Sequence, residues 1–172
     1  YISYFENEKV KCEGSFLNDR KTGYWKWYRQ DGKIEMEGSL NDGLRSEKWM
    51  YWYSNGIKES EGSYLQDNEN GHWEFWYKAG QKWKSGDYKN GLKEGTWTIW
   101  YENGSKLQEG NYIIGKEDGL FTSWFDDGKK KDEGYFKVGL KDGNWKGWYP
   151  NGNPDYEGFF KKDIKDGHWK FW

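Results

Sequence analysis

Seven glycines recur at intervals of 24 residues along the whole chain. An acidic residue precedes six of them, and an aromatic residue or leucine follows each one two places later. A fixed period kept without slippage over seven copies is typical of a repeat protein, in which every copy folds as one supersecondary unit. The glycines of this first column are Gly14, Gly38, Gly62, Gly86, Gly110, Gly134 and Gly158.

Two further motifs keep the same period. A second glycine stands nine residues after each member of the first column, except in one copy, where Glu47 takes its place. A W-x-x-W-Y block begins two residues after this slot and is complete in four copies, at 49–53, 73–77, 97–101 and 145–149. Because residue types repeat slot by slot, the structure of one copy predicts the structure of all.

Each copy has the pattern of a β-hairpin. In the copy that begins at Gly86, residues 96–101 are all β-branched or aromatic, which favours a strand. Asn103 and Gly104 then favour a tight turn, since both tolerate positive φ. The return strand is expected at 106–112, and 90–95 is expected to be a second, turn-rich linker. We therefore predict two strands of about six residues per copy, and no helix, because apolar residues never sustain a 3.6-residue period.

Successive hairpins are expected to stack side by side, because a single hairpin is only marginally stable in water. The predicted fold class is all-β: an elongated single-sheet array of stacked antiparallel hairpins. Two strands per copy at about 4.8 Å each give a rod roughly 65–70 Å long. One continuous array of about seven hairpins should occupy residues 1–172, truncated in mid-repeat at both ends.

The truncation follows from the slots at the two ends. Tyr1 occupies the slot of Trp25, and Trp172 occupies that of Trp148. The last strand therefore has no return partner in this chain, and exposed sheet edges tend to pair. We expect further sequence or another copy to cover it. The sequence does not define the oligomeric state, and end-to-end pairing of the sheets of two chains is one arrangement that this edge allows.

The glycines of the first column predict how the tryptophans pack. Glycine weakens a strand unless something must approach its backbone closely. We expect an indole ring from the adjacent strand to lie flat across the glycine. Both tryptophan columns of the W-x-x-W-Y block are therefore interpreted first as packing residues, as is usual for large aromatic side chains.

Composition excludes several classes of protein. Aromatic residues make up 22% of the chain, which argues against disorder. The 27 basic and 29 acidic residues are interspersed, so no basic patch indicates nucleic acid. No apolar stretch has the length of a membrane span. Cys12 is the only cysteine and leaves the redox compartment open. A cell-envelope or secreted location is favoured over a cytoplasmic one.

No catalytic or cofactor site is expected. His72 and His168 share a slot four copies apart, so they lie roughly 40 Å from each other in the predicted rod and cannot share a metal. No nucleophile motif, phosphate-binding loop or metal-ligand spacing is present. The sequence therefore predicts a protein that is not an enzyme and needs no cofactor.

One column between the two tryptophan slots varies while its neighbours do not. Its side chains shrink along the chain and then become large again at Phe171. Drift at a half-exposed site is one interpretation. The other is a graded binding surface, aromatic in the N-terminal half and open near Ser123 and Gly147, since aromatic anchors are preferred at binding hot spots. The candidate partner-binding residues are Trp27, Tyr51, Phe75, Ile99, Ser123 and Gly147.

The repeat resembles the MORN repeat, and most closely the bacterial, antitoxin-like variant. The resemblance is carried by the blocks at 109–129 and 61–80, and it extends over essentially the whole chain. The departures are Glu47, Ser85 in the acidic slot, Phe121 in the first tryptophan slot, and the two prolines Pro150 and Pro154. The resemblance implies a single-sheet hairpin array that acts as a scaffold for binding proteins.

Three functions follow from these observations. The leading hypothesis is a non-enzymatic scaffold that binds another protein through its aromatic-lined sheet. An alternative is glycan or cell-wall binding, because rows of tryptophans stack on sugar rings. A third is an antitoxin or immunity protein that neutralises a partner toxin, which the family resemblance alone implies.

Overall fold

The structure, a computed structural model, describes residues 1–172. It contains fifteen strands and no helix, and the strands form one open antiparallel sheet whose order follows the order of the chain. The predicted all-β fold of stacked hairpins is therefore confirmed. The strands are β1 (Ile2–Tyr4), β2 (Val10–Leu17), β3 (Arg20–Tyr28), β4 (Ile34–Asn41), β5 (Leu44–Trp52), β6 (Lys58–Leu65), β7 (Asn68–Trp76), β8 (Lys82–Lys89), β9 (Leu92–Trp100), β10 (Lys106–Ile113), β11 (Lys116–Trp124), β12 (Lys130–Lys137), β13 (Leu140–Trp148), β14 (Pro154–Lys161) and β15 (Ile164–Phe171).

The chain divides into two compact units. Unit 1 comprises Tyr1–Lys82 with Tyr88–Gly91, and unit 2 comprises Trp83–Asp87 with Leu92–Trp172. Each unit is built from the same kind of hairpin, so the features below recur in both. The continuity of one array over the whole chain stays a prediction.

Two-residue turns connect the strands of each hairpin at one edge. Both central residues have positive φ, as at Asn90 (52°) and Gly91 (76°). This geometry is that of a type I′ turn, whose twist matches that of the flanking strands, so pairing resumes directly after it. The expected linker at 90–95 is therefore wrong: β9 begins at Leu92, and strands after β1 are eight or nine residues long instead of about six.

Five-residue loops connect successive hairpins at the opposite edge. The Tyr101 N–H donates to the Ser105 carbonyl at 2.9 Å, and the Gly104 N–H donates to the Tyr101 carbonyl at 3.0 Å. The Asn103 side chain accepts a bond from the Ser105 N–H at 2.9 Å. The expected turn at Asn103 and Gly104 is present, but only Gly104 has the expected positive φ (85°), and Asn103 acts through its side chain.

The second glycine column forms a β-bulge in each hairpin. In β5, Trp49 pairs with Gly38 and Ser46 pairs with Ser39, which leaves Glu47 and Lys48 without an opposed residue on β4. A bulge of this kind places one residue in the left-handed region, where glycine is favoured. Gly71 has φ 79° there, and Glu47 adopts the same conformation at φ 58°. Glu47 therefore departs from the repeat pattern in residue type but keeps the backbone conformation of the glycines in its slot.

The buried rings lie on the first glycine column, as predicted. Trp73 is 3% exposed, and a methyl group added at Gly62 would overlap its indole ring. The phenyl ring of Phe121 lies in the same way on Gly110. The prediction for the first tryptophan column is confirmed, because a side chain at these glycines would occupy the space of the ring.

A second set of rings stands edge-on between the buried rings. In unit 1, Tyr64 meets Trp49 at 6.1 Å and 90°, and Trp73 at 5.0 Å and 81°. In unit 2, Phe136 meets Phe121 at 4.9 Å and 68°, and Trp145 at 5.2 Å and 83°. Edge-to-face contacts at these distances are the favoured geometry of aromatic pairs. The core of each unit is therefore a row in which flat and upright rings alternate, except that in unit 1 Leu40 takes the place of an upright ring between Trp25 and Trp49.

The bulge also supplies a hydrogen-bond acceptor for each buried indole. Trp73 Nε1–H donates to the Ser63 carbonyl at 3.1 Å, ten residues earlier in the chain. The same bond is made by Trp25, Trp49, Trp97 and Trp145. Phe121 has no ring N–H, so the corresponding carbonyl, that of Asn111, receives no such bond from it. The indole is thus fixed both by its flat contact and by its donor.

Successive hairpins are joined at both edges. At the loop edge, Tyr53 Oη–H donates to the Trp76 carbonyl at 2.8 Å, and Asn55 Nδ2–H donates to the Lys78 carbonyl at 2.8 Å. Where aspartate replaces asparagine in this slot, a lysine two residues later donates instead, as Lys129 does to the Pro150 carbonyl at 3.0 Å. At the turn edge, backbone N–H groups donate back to the preceding hairpin.

Candidate aromatic binding face

The front face is the sheet face that carries the buried rings, such as Trp49 and Trp73. Side chains two residues apart on a strand share a face, so the variable column lies on it too. In unit 1 this column is aromatic, and we call Trp27, Tyr51 and Phe75 the aromatic row. These three residues are half-buried and pack against the core cluster of unit 1.

The aromatic row is stacked on the buried rings. Trp27 lies between Trp25, at 5.6 Å and 28°, and Trp49, at 5.4 Å and 29°. Tyr51 stacks on Trp49 at 6.1 Å, and Phe75 stacks on Trp73 at 5.8 Å. Each ring of the row is therefore held nearly parallel to a buried indole. Its position is set by packing within the chain.

Tyr51 is also held by a polar network that the sequence analysis missed. Arg45 Nη1–H donates to Tyr51 Oη at 3.3 Å, Tyr51 Oη–H donates to Tyr64 Oη at 3.2 Å, and the guanidinium carbon lies 3.9 Å from the centre of the Tyr64 ring. Asp67 accepts from Arg45 Nε–H at 2.9 Å, which lowers the pKa of that carboxyl. Burial, followed by the bond with Tyr51, raises the pKa of Tyr64. The one available signal was that Arg45 is the only arginine in its slot.

In unit 2 the variable column is aliphatic or small from Ile99 to Gly147 and aromatic again at Phe171, which is exposed and stacks on Trp169 at 6.0 Å. Ile99 and Ser123 are half-buried. Ser123 Oγ–H donates to Asp132 Oδ2 at 3.1 Å, and Tyr156 Oη–H donates to Asp132 Oδ1 at 2.6 Å. Burial and this bond to Asp132 raise the pKa of Tyr156. The front face of unit 2 thus carries a hydrogen-bonded polar cluster where unit 1 has rings.

The opening expected at Gly147 is wrong. Gly147 pairs with Tyr156 on β14, and a methyl group at Gly147 would overlap the Tyr156 ring. Gly147 is therefore buried, and the Tyr156 ring lies 5.9 Å from that of Trp169. Gly147 is the smallest residue of the variable column, and Tyr156 is the largest residue in its own slot on the neighbouring strand. The ring of Tyr156 therefore fills the space that a side chain at Gly147 would occupy.

The second tryptophan column lies on the opposite, back face. In unit 1, Lys58 Nζ lies 5.1 Å from the centre of the Trp76 ring and 2.8 Å from Glu61. In unit 2, Lys106 makes the same two contacts with Trp124, at 5.6 Å, and Glu109, at 2.7 Å. The acidic residue before the first-column glycine therefore positions a lysine over an indole, a role that the sequence analysis missed.

The front face of unit 1 offers partly exposed aromatic rings. No group of three or more His, Cys, Asp or Glu side chains is placed to hold a metal ion. None of the secondary-structure elements is a helix of the length and apolarity that crossing a membrane requires. What the front face of unit 1 presents is a row of fixed, half-buried aromatic rings.

Comparison with protein families agrees with the repeat geometry. The model of the MORN repeat variant matches residues 21–42, 69–90, 93–113, 117–137 and 141–162. The chain belongs to the MORN repeat variant family. MORN repeats suggest a repeat-based binding scaffold. No curated protein matches the chain significantly.

The MORN matches also show which copy departs most from the family pattern. The matches leave out 43–68, which contains β5, β6 and Glu47. The structure nevertheless keeps the MORN hairpin there, with the ring of Trp49 on Gly38 and that of Trp73 on Gly62. The ring-on-glycine contact is therefore the part of the repeat that persists when other residues change.

Proposed function

We propose that this protein is a non-enzymatic scaffold that binds another protein through the aromatic row Trp27, Tyr51 and Phe75. The observation that carries the proposal is that these rings are half-buried yet fixed by stacking on buried rings. Rigid aromatic side chains lose little conformational entropy on binding, and binding hot spots are rich in them.

The spacing of the row favours an extended partner segment. The three residues are one hairpin apart, so their rings recur at roughly 10 Å along the face of unit 1. A small ligand prefers a concave pocket that buries most of its surface, which a row on a sheet face does not supply. An extended peptide or the edge of a partner protein places side chains at suitable intervals over such a row.

The test is a selection of short random peptides, displayed on phage, against the purified protein. Selected peptides should bind Trp27→Ala or Tyr51→Ala with a loss of about 1–3 kcal/mol, equivalent to roughly 5- to 150-fold weaker binding. Trp76→Ala is the matched control, because Trp76 is a half-buried tryptophan on the back face. Peptides that bind both kinds of variant equally would contradict the proposal.

Glycan or cell-wall binding is the second candidate. It is favoured by the row of half-buried aromatic rings, because aromatic side chains stack on sugar rings. Soluble wall oligosaccharides should then quench tryptophan emission, with several equivalents bound per chain and loss of the effect in Trp27→Ala. Quenching that persists unchanged in this variant would exclude the row as a glycan site.

The antitoxin-like, bacterial character is a finer proposal about the same scaffold. The partner would then be a toxin encoded beside this chain, and co-expression with it should restore growth to cells that the toxin arrests. Tyr51→Ala should abolish this rescue while the chain accumulates normally. A cell-envelope or secreted location goes with the wall-binding alternative and is tested by fractionation of the producing cells.

A further inference from the structure

Two turns of unit 2 carry apolar β-branched residues in an unfavourable backbone conformation. Ile114 (φ 50°) and Val138 (φ 53°) are the first central residues of consecutive type I′ turns. Branched side chains are disfavoured in this left-handed region. Elsewhere the same slot holds polar residues, namely Asn18, Asp42, Gln66, Asn90 and Lys162. The exchange for isoleucine and valine is therefore not explained by the turn.

Neither side chain is used to hold its turn in place. The Ile114 N–H donates to Glu94 Oε2 and the Val138 N–H donates to Asp118 Oδ2, both at 3.1 Å. From Ile114 and Val138 these bonds use only the backbone N–H groups. The side chains of the two residues are 68% and 56% exposed. Asparagine would keep the bonds and tolerate the conformation better. The apolar side chains thus have no evident structural role.

Further apolar side chains and two lysines surround them. Ile113 pairs with Lys116 across one turn, and Leu140 pairs with Lys137 across the next. Ile113 and Leu140 are both exposed, and no carboxylate of this chain forms a salt bridge with either lysine. We call Ile113, Ile114, Val138 and Leu140, with Lys116 and Lys137, the turn-edge patch. It joins an exposed apolar surface to unpaired positive charge.

We propose that the turn-edge patch is a second binding surface, distinct from the aromatic row, for an acidic protein segment that carries aliphatic side chains. Isolated exposed apolar residues are normal on proteins, but contiguous ones mark interaction sites. Lys116 and Lys137 favour a negatively charged partner, because neither ammonium group forms a salt bridge with a carboxylate of this chain. The carboxylates of Glu94 and Asp118 keep their charge but are held on the turn amides. A membrane is less suited, because anionic lipid is recognised by clusters of about 4–8 basic residues.

The test uses the variant Ile114→Asn/Val138→Asn, which should fold with an unchanged or raised Tm. Phage-displayed random peptides are selected on the wild-type protein after depletion on this variant. The enriched peptides should combine Asp or Glu with Leu, Ile or Val, and should bind the double variant about tenfold or more weakly. Their binding should also weaken with added salt and in Lys116→Gln/Lys137→Gln. Lys162→Asn, a change in the same slot of another turn, is the control and should bind normally.

Four results would overturn the proposal. A clear fall in Tm of the double variant would show that Ile114 and Val138 are structural. Enriched peptides without acidic residues would contradict the charge argument, and the absence of any discriminating peptide would contradict the site. Sedimentation with phosphatidylserine vesicles that the double variant abolishes would assign the patch to membranes instead. Because the aromatic row is intact in every variant, failure here leaves the proposed function separately testable.

Discussion

The indole ring of Trp73 lies flat on Gly62, so close that a single methyl group at residue 62 would overlap it. Gly62→Ala should therefore be strongly destabilising, by about 3 kcal/mol, at the upper end of typical overpacking. Gly71→Ala is the control, because nothing lies within 4 Å of that position and only its φ of 79° opposes a side chain. It should cost about 1 kcal/mol. Urea denaturation measures both, and equal losses would contradict the close-contact argument.

Glu47 is a non-glycine residue in the left-handed bulge position. Glu47→Gly should raise the free energy of unfolding by about 1 kcal/mol, because glycine adopts φ near 58° without steric cost. The neighbouring change Lys48→Gly has no such conformation to relieve and should be neutral or destabilising. Chemical denaturation of the two variants should move the midpoints apart. A loss of stability in Glu47→Gly would show that its side chain contributes more than its backbone strain removes.

Phe121 is the buried ring that lacks a hydrogen-bond donor. Phe121→Trp should place Nε1–H near the Asn111 carbonyl and add about 1 kcal/mol of stability, the net worth of an ordinary hydrogen bond. The converse change Trp97→Phe should lose a similar amount, because it removes the 3.0 Å bond to the Asp87 carbonyl. Phe136→Trp enlarges an upright ring that has no such acceptor and should destabilise. Thermal melts of the three variants rank them.

The aromatic row and the buried rings should differ in stability cost. Trp73→Ala should lose about 3–5 kcal/mol, as is usual for a large buried side chain. Tyr51→Ala should lose clearly less, about 1–2 kcal/mol, since it removes a half-buried ring, one stacking contact and two long hydrogen bonds. If Tyr51→Ala unfolds as readily as Trp73→Ala in thermal melts, the row is core and no contact surface exists.

Glu61 links stability to pH on the back face. Burial tends to raise its pKa, but hydrogen bonds from Lys58 at 2.8 Å and Lys48 at 3.1 Å outweigh burial and lower it. A carboxyl whose pKa is depressed in the folded state stabilises the fold above its unfolded pKa, about 4.3, and this contribution is lost as pH falls. The Tm should therefore decrease from pH 6 towards pH 3, and less steeply in Glu61→Gln. Parallel curves for both proteins would show that Glu61 is not responsible.

Local sequence predicted the repeat unit and the ring-on-glycine contact, because both depend on residues that recur at fixed spacing. It placed a turn at each of the two kinds of connection but did not predict their types. Asn90–Gly91 and Asn103–Gly104 are the same dipeptide, yet the first forms a type I′ turn and the second belongs to a five-residue loop. The difference is set by the strand register on either side, which a dipeptide does not encode.

The candidate site was predicted as a column but not as a set of pairs. Gly147 was expected to leave space, whereas Tyr156, its cross-strand neighbour, fills it. The bond from Arg45 to Tyr51 likewise depends on how two slots of one strand face each other across the bulge. Such compensation becomes visible only when the register is known, because the exchanged residues are nine and six positions apart in sequence.

The bonds that join successive hairpins run in fixed directions. Tyr53 donates forward to the Trp76 carbonyl, while the Gly43 N–H donates back to the Lys21 carbonyl. Every hairpin therefore has a donor side and an acceptor side at each edge. Removing or inserting a whole repeat of 24 residues restores an equivalent donor opposite an equivalent acceptor, whereas any other number sets them out of phase. A gene for such a chain should therefore lengthen and shorten by whole-repeat cassettes, and its surviving insertions should be multiples of one hairpin.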